Sequence, residues 1–193
     1  MSPKVLLVDV TDAPDDAFKT AFQKMGYEVS HSLRGLTAIE SHLKLDKHIQ
    51  FVAVNMAAPT EAYFADLSRL ISNQGIPVVV FTETSTRKFT EKAAAIGVSA
   101  YIVCGFEAGR IHHIMDLAKA RFLETQSIKK ELEKTRSSLA ERKIIEKAKG
   151  ILMRRRTIDE EAAFQMMRKM AMDKNIKLAE VAKNIINVDT LFT

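Results

Sequence analysis

Four residues with usable chemistry fall directly after short apolar runs. Asp9 follows Val5-Leu6-Leu7-Val8, Asn55 follows Phe51-Val52-Ala53-Val54, Thr82 follows Val78-Val79-Val80-Phe81, and Cys104 follows Ala100-Tyr101-Ile102-Val103. A carboxylate, an amide, a hydroxyl and a thiol at such places could bind a metal or accept a transferred group. The set is poorly equipped for either. An amide nitrogen is not nucleophilic, and it brings no anionic charge to a metal. Cys104 is the single cysteine, so there is no intramolecular disulfide and no cysteine-based zinc cluster. No His is placed near it by pattern, and it is expected as a buried small apolar residue. His112 and His113 are neighbours on a helix, about 100° apart, and do not converge on one ion. The chain has no Gly-rich phosphate loop, no His-Glu-x-x-His and no Gly-x-Ser-x-Gly. We expect no catalysis, no cofactor and no metal.

A second set is cationic. Lys149, Arg154, Arg155 and Arg156 crowd one stretch, and Arg168, Lys169 and Lys174 follow in the next. Residues 111–193 hold 18 Lys/Arg against 12 Asp/Glu, whereas residues 1–110 hold 11 against 12. Such an asymmetry points to a polyanionic partner at the C-terminal end, or to a solvated helix surface. Lys and Arg at a helix C-terminus complement its dipole, but three consecutive arginines exceed that need.

The elements that must position the first set are legible. Strand patterns at 5–8, 27–30, 51–54, 78–81 and 100–103 alternate with helix patterns at 15–25, 37–45, 60–73 and 86–96. Strands buried on both faces between amphipathic helices imply a parallel sheet with helices on both sides. The fold class is α/β, a flavodoxin-like (βα)5 unit over residues 1–120, with any ligand crevice at the carboxyl ends of the strands.

Glycine and proline then nearly vanish. From Glu107 to about Arg155 the only glycines are Gly109 and Gly150 and there is no proline, so one long helix is expected. Alternate steps of three and four from Ile111 pass Ile114, Ala118, Arg121, Thr125, Ile128, Leu132, Thr135, Leu139 and Arg142. That is a leaky heptad seam, and it predicts a parallel homodimeric coiled coil over residues 107–145, centred on Ile128, Leu132 and Leu139. Thr157 with Glu160 reads as a capping box opening a helix from Ile158 to about Met172. A third helix spans about Lys177 to Ile186, and Phe192 lies in the tail. Residues 137–193 thus form a three-helix module. No run of apolar residues is long enough to span a membrane, and the N-terminus does not read as a secretory signal. The simplest address is the cytoplasm.

Two stretches carry resemblances. Asn55-Met56-Ala57-Ala58-Pro59 and Ala100 to Phe106 resemble segments of the response-regulator receiver domain. That family has Asp where Asn55 stands, Lys where Cys104 stands, and an acidic pair where Asp9 is followed by Val10. The resemblance therefore implies a pseudo-receiver with a degenerate site, Thr82 being retained. Ala148-Lys149-Gly150-Ile151-Leu152-Met153, Ala163-Phe164 and Val181-Ala182 resemble the ANTAR domain, the RNA-binding module of bacterial antiterminators. The departure is Arg156-Thr157, where that family often has Gly. The whole chain is similar to pseudo-receiver antiterminators of the NasT and AmiR types, the former favoured. That implies a cytoplasmic homodimer that binds paired hexaloop stem-loops in a leader RNA and prevents termination. It also implies nitrate or nitrite assimilation genes as targets, and a ligand-sensing partner, a NasS-like nitrate sensor. The alternative is a DNA-binding regulator that uses the C-terminal helices.

Overall fold

Alternation along the first strand decides the layers. Val5 and Leu7 point to one face of the sheet and Leu6 and Val8 to the other, and all four are buried. In the computed structural model, which describes residues 2–12 and 16–191, this strand is β1 (Lys4–Asp9). It lies in a five-stranded parallel sheet with β2 (Glu28–Leu33), β3 (Phe51–Met56), β4 (Val78–Thr82) and β5 (Ala100–Val103), in the order β2-β1-β3-β4-β5. The expected flavodoxin-like arrangement is therefore present. β2 runs three residues further than its pattern suggested and is largely exposed, as an edge strand can be.

Helices α1 (Ala17–Lys24), α2 (Ile39–Leu45), α3 (Glu61–Asn73) and α4 (Arg87–Ile96) fill the crossovers. Gly97, in the left-handed conformation at φ +88°, stops α4. One face of the sheet packs Val5, Leu7, Ala53, Val79 and Phe81 against Phe18 and Phe22 of α1. The other packs Leu6, Val8, Val52, Val54 and Val80 against Ile39, Leu67 and Leu70 of α2 and α3. The expected start of α1 at Asp15 lies outside the described residues, as does Phe192.

After a 3-10 turn at Ala108–Arg110, α5 (Ile111–Arg156) runs for 46 residues. Ile111, Met115 and Ala118 are buried on the first sheet face, beside α1. This corrects the heptad reading, which put Ile111 and Ala118 on the dimer seam. Those turns are already used by the chain's own sheet, and a three-four stepping rule cannot tell which apolar face is so occupied. Residues 127–143 are all exposed, and there Ile128, Leu132 and Leu139 stand 59%, 48% and 55% open to solvent. Leu117, beside the stripe, is also open.

The chain divides into two compact units, Met1–Gln126 and Ser127–Thr193. In the second, α5 is followed by α6 (Glu160–Lys174) and α7 (Leu178–Leu191). Ala148, Met167, Val181 and Ala182 form its core, with Leu152, Met170, Leu178 and Ile185 packed around them. The expected capping box is not what opens α6. Asp159 is the cap, its Oδ1 accepting from Ala162 N at 2.7 Å. Thr157 instead takes the left-handed conformation at φ +52°. Among the described residues, no helix is long and apolar enough to cross a membrane.

Candidate nucleic-acid interface

The crevice at the strand ends is assembled as expected, but its polar groups are occupied with one another. Asp9 and Asn55 are neighbours in register on β1 and β3, and both are buried. Asn55 Nδ2 donates to Asp9 Oδ2 at 3.3 Å. Thr11 donates to Asp9 Oδ1 twice, from its backbone N at 3.1 Å and from its hydroxyl at 2.7 Å. The carboxylate thus has both oxygens engaged inside the protein. Thr82, fully buried, donates its hydroxyl to the Thr84 carbonyl at 2.8 Å. Among the described residues, no group of three or more His, Cys, Asp or Glu could hold a metal.

Cys104 corrects an expectation. It is exposed rather than buried. It sits one residue past β5 at φ +72°, where the chain has left the sheet and turns through Gly105. His112 pairs with Asp116 at 3.2 Å and lies beside Tyr27, and its ring centroid is 6.3 Å from that of His113, the two rings inclined at 70°.

The cations of the second unit separate into two groups. Lys149 is not a surface contact. It is 8% exposed, and its ammonium donates to Glu146 at 2.8 Å and to Glu160 at 2.6 Å, tying α5 to the first turn of α6. Its hydrogen bonds to Glu146 and then Glu160 raise its pKa above the ordinary lysine value. A buried ammonium needs such partners, since an unpaired one would be costly. Lys149 is therefore a fastening between helices. Arg155 is half committed: its guanidinium bridges to Asp189 of α7 at 2.6 Å.

Arg154, Arg156, Arg168, Lys169 and Lys174 are exposed and make no ion pair among the described residues. Two helices position them. Arg154 and Arg156 end α5, and Arg168 to Lys174 line the last two turns of α6. Their burial states suit phosphate contact, which needs hydrated cations free of internal carboxylates.

Comparison with known proteins places these features. Residues 133–186 match the ANTAR domain family. The chain is 31% identical over 119 residues to the transcriptional regulatory protein PdtaR of Mycobacterium tuberculosis, a match over 62% of this chain and 58% of that protein. It is 39% identical over 79 residues to the nitrate regulatory protein of Klebsiella oxytoca, over 41% of this chain and 20% of that protein. The chain thus spans under two thirds of either relative. A CheY-like receiver domain from Methanospirillum hungatei has a similar fold, with TM-score 0.53 and 16% identity over 64% of this chain and 99% of that one. The protein carries an ANTAR domain together with a receiver-type α/β fold.

Proposed function

We propose that the protein is an RNA-binding transcription antitermination regulator. It binds paired stem-loops in a leader mRNA as a homodimer and prevents termination, in nitrate or nitrite assimilation genes, under the control of a ligand-sensing partner protein. The observation that carries the reading is a matched ANTAR domain whose exposed cations, Arg154, Arg156, Arg168, Lys169 and Lys174, make no ion pair among the described residues. The nitrate assignment draws support from the regulatory relative in Klebsiella oxytoca. The receiver-type unit would serve as a docking module, because its crevice carboxylate is engaged by Thr11 and Asn55.

Dimerisation is supported by the open stripe through Ile128, Leu132 and Leu139 and by the charges beside it. Glu124 and Glu131 precede seam positions, and Lys129 and Arg136 lie five residues beyond each of them. In a parallel, in-register pair these become opposite-charge contacts across the seam, whereas an antiparallel pair would set glutamate against glutamate.

Filter binding tests the reading. The full chain should bind a two-hairpin leader RNA more tightly than duplex DNA of the same sequence. Arg154→Ala with Arg156→Ala should flatten the slope of log K against log salt by about 1.4, at roughly 0.7 per single-strand phosphate contact. Equal or tighter binding to the duplex DNA would favour the DNA-binding alternative. A double variant with the wild-type slope would mean that these arginines are only a hydrated helix end.

A further inference from the structure

The second unit contains a groove that phosphate contact alone does not explain. Where α5, α6 and α7 meet, Ile151, Leu152, Met170, Ile185 and Val188 floor an open, mainly apolar hollow of about 400 Å³. Arg155, Arg156 and Lys174 stand at its edge, with Asn184 and Asp189 of α7. Arg155 is held by Asp189, which fixes its guanidinium between α5 and α7. Arg156 and Lys174 keep their charges free of any ion pair among the described residues.

We propose that this groove receives one unpaired nucleobase extruded from an RNA loop. The base face rests on the aliphatic and thioether floor, and its flanking phosphates meet Arg156 and Lys174. The proposal rests on the RNA-binding reading and adds a subsite to it.

Charge and shape select this occupant. An inorganic anion would use the cations and leave the apolar floor wet, and an aliphatic chain would use the floor and leave the cations idle. A second copy of the groove would bring like-charged edges together, because three cations there face one carboxylate. A nucleotide carries both required surfaces, a flat apolar face joined to an anionic backbone. The volume falls at the lower end of pockets that enclose small organic ligands, about 300–1,000 Å³, which suits one nucleoside unit. Phe164, the sole aromatic of this unit among the described residues, is half-buried, so among those residues no exposed ring offers a stacking platform. Unpaired loop bases are the part of an RNA that can be splayed out in this way. Met170 is suited to the floor, since a thioether makes favourable contacts with an aromatic ring. Asn184 offers an amide donor and acceptor that could read a base edge.

The test uses the full chain and a synthetic RNA of two hairpins with six-nucleotide loops, selected on the chain from a loop-randomised library. Abasic substitution at each loop position in turn should single out one position that costs about 5- to 150-fold in affinity, the range of one stacked base. A 2-aminopurine at that position should change its fluorescence on binding. Val188→Glu places a carboxylate in the groove at a side chain that is 53% exposed, so folding should be retained. It should weaken the hairpin RNA by a similar factor and leave a loopless stem of equal length unaffected. Val188→Asn, without the charge, should show the same selectivity at smaller amplitude. If all abasic positions are equivalent, or if Val188→Glu weakens loop and stem RNA alike, the groove does not hold a base and the RNA-binding reading stands without it. If library selection yields no RNA that the wild-type chain binds, the RNA-binding reading fails and the groove proposal fails with it.

Discussion

Leu132→Glu is the most direct probe of the long helix. Leu132 is 48% exposed in the single chain, in a stretch where every residue from 127 to 143 is exposed. Full burial of a leucine is worth about 1.5–3 kcal/mol, so closing a seam over the remaining half gains about 1 kcal/mol per copy, or about 2 kcal/mol per dimer. Glutamate forfeits that gain and sets two carboxylates opposite each other. Loss of the area alone weakens association about 30-fold, at tenfold per 1.4 kcal/mol, and the repulsion adds to it. The single chain should fold unchanged, which circular dichroism can verify. Sedimentation equilibrium over a range of concentrations reads the effect, with Leu45→Glu as control, since Leu45 is 84% exposed on α2, away from the stripe. A second arm tests orientation. Glu124→Lys with Glu131→Lys should weaken self-association. Mixing that variant with a Lys129→Glu, Arg136→Glu chain should restore pairing as a heterodimer. A Leu132→Glu protein with the wild-type dimer constant would refute the seam, and restored pairing that needs an antiparallel label geometry would refute the register.

Four further outcomes are expected. Incubation with acetyl phosphate and Mg²⁺ should add no phosphoryl group by intact mass, because Asn55 is not nucleophilic and Asp9 is engaged; a stoichiometric adduct would overturn this. Lys149→Met should lower the melting temperature of the C-terminal unit while leaving the salt slope of RNA binding intact, since the ammonium serves Glu146 and Glu160; a flattened slope at unchanged stability would make it a phosphate contact after all. Hydrogen bonds from Lys88 and Lys92 lower the Glu61 pKa to about 2, below its ordinary 4.5. That stabilisation is present above the unfolded value and is lost as pH falls through the folded one. The deficit of Glu61→Gln against wild type should therefore be full at pH 7 and should shrink in melts taken from pH 4.5 down to 2; a deficit at pH 2 as large as at pH 7 would count against the ion pairs. Thr157→Gly should leave stability equal or raise it by up to about 1 kcal/mol, because a left-handed non-glycine residue costs about 1–2 kcal/mol and glycine's added unfolded-chain freedom returns about half of that; a clear loss by chemical denaturation would mean that the threonine side chain contributes more than its backbone costs.

The strands were legible because their signals are local, and their order followed from the unbroken alternation of strand and helix patterns. Strands such as Val78-Val79-Val80-Phe81 carry their burial in the sequence, and Gly97 marks a helix end with its conformation. The crevice followed, since carboxyl ends of parallel strands always gather there. Errors arose where one residue type serves two purposes. Lys149 beside Ala148 and Gly150 reads as a cation on an approachable surface, yet Glu146 one turn before it and Glu160 after the bend are its partners. Thr157 and Asp159 are both plausible caps, and the geometry of the bend selects Asp159. Ile111 and Ala118 obey the heptad rule while packing on their own sheet. Cys104 follows an apolar strand that ends at Val103 as its pattern suggested, but the chain has left the sheet at the thiol itself, so the burial expected of a lone cysteine fails. The groove beside Val188 had no sequence signal at all, because it exists only where three helices converge.

The occupied Asp9 carboxylate has a consequence in time. A covalent mark outlasts the encounter that wrote it and must be erased by a separate reaction. With both Asp9 oxygens held by Thr11 and Asn55, this carboxylate has no unengaged oxygen among the described residues to take such a mark. A signal that reaches it by binding lasts only as long as the binder stays. The response then has no memory: it follows the free concentration of the binder and resets at the rate of dissociation. It saturates at a fixed stoichiometry instead of accumulating with repeated enzymatic turnovers.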